Sequence, residues 1–134
     1  MSIRSNLEDR LRTFCAAQTP PIPVAFEGIP FVKPSNSRYV QCWLLPSTTT
    51  SPTVEGYRRR VRGLFQINVY CPDGRGSKEV EDLSEQIAAL YPVVPKNIFT
   101  ELSIDRPTQT SQAYIDANYR CIPVTVSYRA EFTE

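Results

Sequence analysis

The sequence predicts one α+β domain, in which two helices pack on one face of a mixed, mostly antiparallel sheet of four or five strands. Two segments have apolar residues at helical spacing, and several others show the alternation of strands. Most of the predicted strands follow one another directly along the chain, an order typical of antiparallel or mixed sheets. The 134 residues suffice for one domain and contain no linker, so we expect residues 1–134 to form a single domain.

Two amphipathic helices are predicted. The first covers residues 3–17 and is ended by the prolines at 20, 21 and 23. Its apolar residues recur at steps of three and four, at Ile3, Leu7, Leu11, Phe14 and Cys15. The second covers residues 77–91, and its apolar stripe consists of Val80, Leu83, Ile87 and Leu90. Each helix therefore presents one apolar side to a core.

The middle of the chain predicts a long β-hairpin. A strand at 39–45 has apolar residues on both faces, which indicates cover on both sides. A polar hairpin connection is predicted at 46–56, and a clearly alternating strand follows at 57–71. That strand spans about 50 Å at 3.3 Å per residue, whereas a domain of this size is about 36 Å across. We therefore expect the hairpin to project beyond the domain body.

Three further strands complete the predicted sheet. A short strand is expected at 24–27, a weakly alternating one at 98–104 and a closing one at 119–132, which follows a polar loop at 105–118. Pro123 lies within the closing strand and cannot donate a ladder hydrogen bond. The closing strand is therefore expected to lie at a sheet edge or to carry a bulge at Pro123.

The composition excludes several classes of function. With 15 basic and 14 acidic residues the net charge is +1, which does not indicate a globally basic nucleic-acid-binding protein. The absence of histidine excludes histidine-dependent triads and histidine-ligated metal sites. The cysteines are at least 27 residues apart and form no CxxC pair. We expect them to be buried thiols, and the alternative is a disulfide. No signal peptide or membrane span is visible, which favours a protein made in the cytoplasm.

An arginine cluster begins the long strand. Four arginines occupy five positions, at Arg58, Arg59, Arg60 and Arg62. Guanidinium groups bind phosphates and carboxylates, so the cluster indicates a surface for nucleic acid or for an acidic protein. The alternative is a solvated strand end at a hairpin.

Other candidate sites are weaker. The turn at 72–77 precedes a helix but lacks a phosphate-loop pattern, which favours a tight turn and a helix cap. Trp43, Tyr39 and Tyr70 are of types that stack on bases, yet core or interface packing is the favoured role. Nothing indicates desolvation of the carboxylates that acid–base catalysis would use, at Glu79, Glu81, Asp82, Glu85, Asp105 and Asp116. We therefore predict no enzyme, no catalytic or metal site and no cofactor.

Three stretches carry a family resemblance. They lie at 22–31, at 57–77 around the segment Arg62-Gly63-Leu64-Phe65-Gln66, and at 123–128 in the closing strand. Together they resemble the tail terminator-like proteins of long-tailed bacteriophages and prophages, and the order of elements agrees along nearly the whole chain. The shared motifs are turns and strands, so the resemblance implies a fold and a structural role.

The resemblance implies a component of the virion tail and neck region. Proteins of this family assemble as a hexameric ring on the last ring of tail-tube protein, stop tube growth and present a surface for joining the head. The partners implied are further copies of the chain, the tail-tube protein, a head-completion or neck protein, and DNA that passes through the ring without sequence-specific binding.

Under this reading the hairpin at 46–59 contacts the tube or a neighbouring subunit, and some of the arginines face the lumen or an acidic partner. The predicted interface residues are Thr49, Thr50, Val54, Tyr57, Arg58, Arg59, Arg60 and Arg62. Three alternatives remain: a head-completion or neck protein of the same virion, a small nucleic-acid-binding module that uses the Arg58–Arg62 strand, and, last, a small hydrolase that uses carboxylates.

Overall fold

The computed structural model describes residues 3–18, 21–32, 37–50, 58–72, 74, 78–92, 102–104, 107–116 and 119–133. Two helices are present in this part of the chain, α1 (Ile3–Ala16) and α2 (Lys78–Ala88). The strands are β1 (Val24–Ala25), β2 (Tyr39–Thr50), β3 (Arg58–Pro72), β4 (Leu102–Ile104), β5 (Gln109–Thr110), β6 (Tyr114–Asp116) and β7 (Tyr119–Thr133).

The strands form one mixed sheet in the order β1-β2-β3-β7-β4, and β5 and β6 also pair with β7. Only the pairing of β1 with β2 is parallel, and the other described pairs are antiparallel. The predicted fold class is thus confirmed, although the described sheet has seven strands and four or five were expected.

Both helices pack on the same face of this sheet. The side chains of Leu7, Leu11 and Cys15 from α1 and of Val80, Leu83 and Ile87 from α2 share one apolar core with alternate residues of the strands. The strands contribute residues at odd positions on β3 and even positions on β2 and β7, among them Val40, Phe65, Ile67, Val69, Val124, Val126 and Tyr128. The described residues of both predicted apolar stripes therefore face the core, as expected, and the side chain of Ile3 lies outside the described part of the chain.

Two segments predicted to be loops contain strands. The first five residues of the predicted connection at 46–56 continue β2 as far as Thr50, with a register irregularity between Pro46 and Thr48. The predicted loop at 105–118 contains β5 and β6. These predictions were wrong because the backbones of β3 and β7 supply ladder hydrogen bonds that require no apolar alternation in the partner. Residues 98–101 of another predicted strand lie outside the described residues.

Pro123 lies inside the sheet, so the prediction of an edge strand was wrong. β7 pairs with β3 without a register shift, and Pro123 lies opposite Asn68. The Pro123 carbonyl accepts a hydrogen bond from the N–H of Ser111 at 2.9 Å. Because the amide and carbonyl of a residue in an antiparallel strand point to the same side, the position of the missing N–H is on the side of β5 and β6. The β3–β7 ladder therefore loses no donor at Pro123.

All four cysteines are buried and outside any disulfide bond. Burial raises the pKa values of the Cys15 and Cys42 thiols to about 12. The prediction of buried thiols is confirmed. In the described part of the chain, no helix is both long and apolar enough to cross a membrane.

Candidate assembly surface

The face of the sheet opposite the helices is partly uncovered, and we call it the open face. It is formed by the central and distal parts of β2, β3 and β7, where Leu45 is 48% exposed and Leu64 is 38% exposed. The register places Leu45, Leu64 and Ser127 side by side, and Trp43, Gln66 and Thr125 in the row next to them. The open face thus combines apolar and polar side chains, as interaction surfaces commonly do.

One end of this face is closed by an aromatic cluster. The rings of Tyr39 and Tyr70 stack with their centroids 4.5 Å apart, and Tyr119 packs edge-on to Tyr39 at 5.1 Å. Phe31 packs against the same cluster. The strand predicted at 39–45 is therefore covered on both sides only at this end. Tyr39 and Tyr70, each 5% exposed, act in packing, as favoured over base stacking.

A chain of side-chain hydrogen bonds crosses the open face. The Thr125 hydroxyl donates to Gln66 at 3.0 Å, the Gln66 amide donates to Asn68 at 3.3 Å, and the Asn68 amide donates to the Tyr70 hydroxyl at 3.3 Å. Each amide is held by two partners, so its orientation is set before any partner protein binds. This part of the face is a pre-organised polar surface.

Arg62, the last arginine of the predicted cluster, lies at the other end of the open face. It is exposed and lies directly opposite Arg129 of β7 and Thr48 of β2. Two like charges in opposed positions of neighbouring strands repel each other. The two described charged residues at this end of the face are therefore both cationic.

The structure describes some of the predicted interface residues and not others. Thr49 lies opposite Val61 and Thr50 opposite Arg60, so the two threonines are in a paired strand. Arg58, Arg59 and Arg60 lie in β3, opposite Thr133, Phe132 and Glu131 of β7. Val54 and Tyr57 lie outside the described residues. Of the eight predicted residues, Arg62 is the one whose side chain the structure describes, and it is exposed.

Few backbone N–H groups along the outer edge of β2 are available to pair with a further strand. β1 pairs with β2 only at Val40 and Gln41, and beyond it the Glu27 carboxylate accepts the N–H of Leu44. This hydrogen bond, followed by one from Arg4, lowers the pKa of Glu27. Pro46 carries no N–H. Strand addition along this stretch would lack its usual donors, which leaves the part of β2 from Thr48 to Thr50 as the available edge.

A groove of about 270 Å³ separates β2 from the loop that follows β1. Its apolar walls come from Phe26, Ile29, Phe31 and Trp43. The residues considered for acid–base catalysis are elsewhere: Glu81, Asp82 and Glu85 are exposed on α2. Asp105 lies outside the described residues, as does the side chain of Asp116. No group of three potential metal-ligating side chains occurs among the described residues.

Sequence reasoning missed part of this surface. The predicted interface residues do not include Leu45, Leu64 or Arg129. The available signal was the even-numbered positions of β3, where apolar Leu64 stands among Arg62, Gln66 and Asn68. Only the pairing register brings Arg129 beside Arg62.

Comparisons with known proteins agree with this architecture. A family model described as "Phage tail terminator protein" matches residues 2–128. A solved structure is similar at 30% sequence identity with a TM-score of 0.79, over 98% of this chain and 95% of the other. No curated protein sequence matches the chain.

Proposed function

The chain belongs to the phage tail terminator protein family, and on this basis we propose that it assembles as a hexameric ring that caps the tail tube. The ring stops polymerisation of the tube protein and offers its free side to a head-completion or neck protein. DNA passes through the lumen without sequence-specific binding. The protein is made and assembled in the bacterial cytoplasm and resides in the tail and neck region of the virion. The observation that carries this proposal is the family match over residues 2–128.

The shape of the sheet supports such a role. Past Ala130, a buried core residue of β7, the pairing of β3 with β7 continues as far as Arg58 and Thr133, and that of β2 with β3 as far as Thr50 and Arg60. At about 3.3 Å per residue, the 15 residues of β3 span about 50 Å, whereas a domain of this size is about 36 Å across. A long sheet end of this kind is suited to contact a neighbouring subunit or the tube.

The size of the domain is compatible with a ring around DNA. Six bodies about 36 Å wide that touch in a circle leave a central gap of similar width, which accommodates a DNA duplex. Closure of such a ring requires a heterologous contact, in which one patch of a subunit meets a different patch of the next.

The proposal is tested by the mass of the protein in solution, measured by light scattering, together with negative-stain images of the same sample. Sixfold rings with an open centre are the expected result. If the free protein is monomeric, it is mixed with purified tail tubes and sedimented, because a tube end can template the ring. A protein that neither forms rings nor sediments with tubes is not a terminator.

Two alternatives give different results. A head-completion or neck protein of the same virion would be found on the head side of the joint when labelled particles are imaged. A nucleic-acid-binding module is favoured by Arg62 and Arg129 at the end of the open face, and it would bind DNA with an affinity that falls steeply with salt. A small hydrolase ranks last, because the carboxylates Glu81, Asp82 and Glu85 are exposed to solvent.

A further inference from the structure

The open face and α2 lie on opposite sides of the same strands and carry opposite charges. α2 packs on the core face of β3 and β7, and its buried side consists of Val80, Leu83, Ser84 and Ile87. Its exposed side carries the carboxylates Glu81, Asp82 and Glu85 together with one cation, Lys78, so negative charge predominates. The open face carries Arg62 and Arg129 on the far side of β3 and β7. Each subunit thus has a positive patch and a negative patch back to back.

Resting on the proposed ring, we infer that each ring contact is formed by the open face of one subunit and the exposed side of α2 of the next. The partner of the open face is therefore a second copy of this chain. Charge complementarity selects this partner, because the exposed Arg62 then meets the carboxylates of α2.

The alternative pairing of two open faces is disfavoured. An isologous contact would bring Arg62 of one copy close to Arg62 of the other, and juxtaposed like charges are unfavourable. Pairing of two α2 surfaces would oppose carboxylates in the same way. Charge therefore favours the heterologous contact, which is the type that forms rings.

The spacing of exposed residues along α2 also matches the spacing of residues along one face of β3. Exposed residues one helical turn apart, such as Glu81 and Glu85, have Cβ atoms about 6 Å apart. Alternate residues of a strand, such as Arg62 and Leu64, are about 6.6 Å apart. When α2 lies along β3 with Glu85 at Arg62, the exposed Ala89 is at Leu64; Ala89 follows the last residue of α2 and still donates its N–H to the Glu85 carbonyl at 3.0 Å. A small side chain at this point allows the helix to approach Leu64 and Leu45.

The decisive experiment combines two opposite charge reversals. Arg62→Glu reverses a charge on the open face, and Glu85→Lys reverses one on α2. Both side chains are exposed, so neither change disturbs the core. Each variant alone is expected to require at least about tenfold more protein to assemble, in solution or on tail tubes. An equimolar mixture is expected to regain assembly, because the reversed patches complement each other in alternating subunits.

Matched controls carry the same change in net charge at another surface. Gln109→Lys combined with Gln112→Lys raises the net charge by two, as Glu85→Lys does. Gln109→Glu combined with Gln112→Glu lowers the net charge by two, as Arg62→Glu does. Both glutamines are exposed at or beside β5, so we expect normal assembly. Thermal unfolding confirms that every variant is folded, and native mass spectrometry counts the two kinds of subunit in mixed rings.

The outcomes separate this inference from the proposed function. Rings of wild type together with unimpaired assembly of both charge variants overturn the inference and leave the terminator role intact. Impaired variants whose mixture stays impaired also overturn it, because the two patches then do not meet. A wild-type chain that forms no ring in solution or on tubes overturns both.

Discussion

The phenol of Tyr128 lies against the backbone of Gly63 on the neighbouring strand. A Cβ atom at position 63 would be 2.5 Å from the Tyr128 hydroxyl and 2.6 Å from the carbonyl oxygen of Leu45. Gly63 pairs with Tyr128 on one side and with Pro46 on the other, next to the register irregularity of β2. The glycine is therefore required for space where strands and a buried ring come close.

Replacement of Gly63 by alanine is expected to lower the free energy of unfolding by about 1–3 kcal/mol, because Tyr128 and the β2 backbone must move apart. Urea unfolding followed by fluorescence measures the change. Leu64→Ala, at the adjacent exposed position, serves as the control and is expected to change stability by less than about 0.5 kcal/mol. Unchanged stability of the Gly63 variant would show that this contact is not tight.

The buried hydroxyl of Tyr91 connects the segment that follows α2 to α1. It donates to the carbonyl oxygen of Leu7 at 2.8 Å, and the residue is 1% exposed. Burial raises the pKa of Tyr91 above its usual value, so the phenol stays protonated. Tyr91→Phe removes this hydrogen bond while keeping the ring against Phe65, and we expect a loss of about 1 kcal/mol in thermal unfolding experiments. An equally stable variant would contradict a contribution of this bond.

Glu27 is expected to make stability depend on pH. The Leu44 N–H and Arg4 lower the pKa of Glu27 in the folded protein. The contribution of Glu27 to stability is therefore present above about pH 4.3, the usual pKa of glutamate, and is lost as the pH falls through the lower pKa of the folded state. Because the group is exposed, Glu27→Gln should cost less than about 1 kcal/mol at pH 7. Urea titrations at pH 7 and pH 3 should show this difference shrinking at pH 3.

The control for this titration is Glu81→Gln, which removes an exposed carboxylate on α2 far along the chain from this network. Its stability should follow the wild type at both pH values. A Glu27→Gln difference that is as large at pH 3 as at pH 7 would refute a role for the ionised carboxylate.

The arginines at the start of β3 are expected to act in assembly. Replacement of both Arg59 and Arg60 by glutamate should block tail completion while the monomer stays folded, because the charge facing the lumen or an acidic partner is reversed. Phage titre and electron microscopy of tails measure the effect. The corresponding double lysine variant retains the positive charge and should give near-normal titres. Normal titres from the glutamate variant would contradict the prediction.

The cysteines are expected to be unreactive in the folded protein. Each is at most 2% exposed, and the pKa values of Cys15 and Cys42 are raised to about 12, so little thiolate is available at pH 8. A thiol-specific reagent should label none of them in native protein and all 4 after denaturation without a reductant. Fewer than 4 labelled thiols after denaturation would indicate a disulfide.

Much of the fold is predictable because the relevant signals are local. The apolar stripe at 3–17 predicts α1 to within one residue, and the alternation at 57–71 predicts β3 to the same precision at each end. Both patterns depend only on the side chains of the element itself. The arginine cluster was located on β3 for the same reason.

Other features depend on partners far along the chain. β5 and β6 are two and three residues long and are stabilised by pairing with β7, and strands this short contain no alternation that could reveal them. The extension of β2 to Thr50 likewise follows from pairing with β3 across an irregularity that no local pattern predicts.

The sequence by itself determined the helices, the long strands, the arginine cluster and the likeness to tail terminators, because periodicity, charge runs and turn motifs are properties of neighbouring residues. Only the tertiary structure decided which sheet face stays open, and that Arg62 meets Arg129 beside Leu45 and Leu64. The physical reason is the register: residues more than 60 positions apart become neighbours only when the whole sheet has paired and buried its other face under the helices.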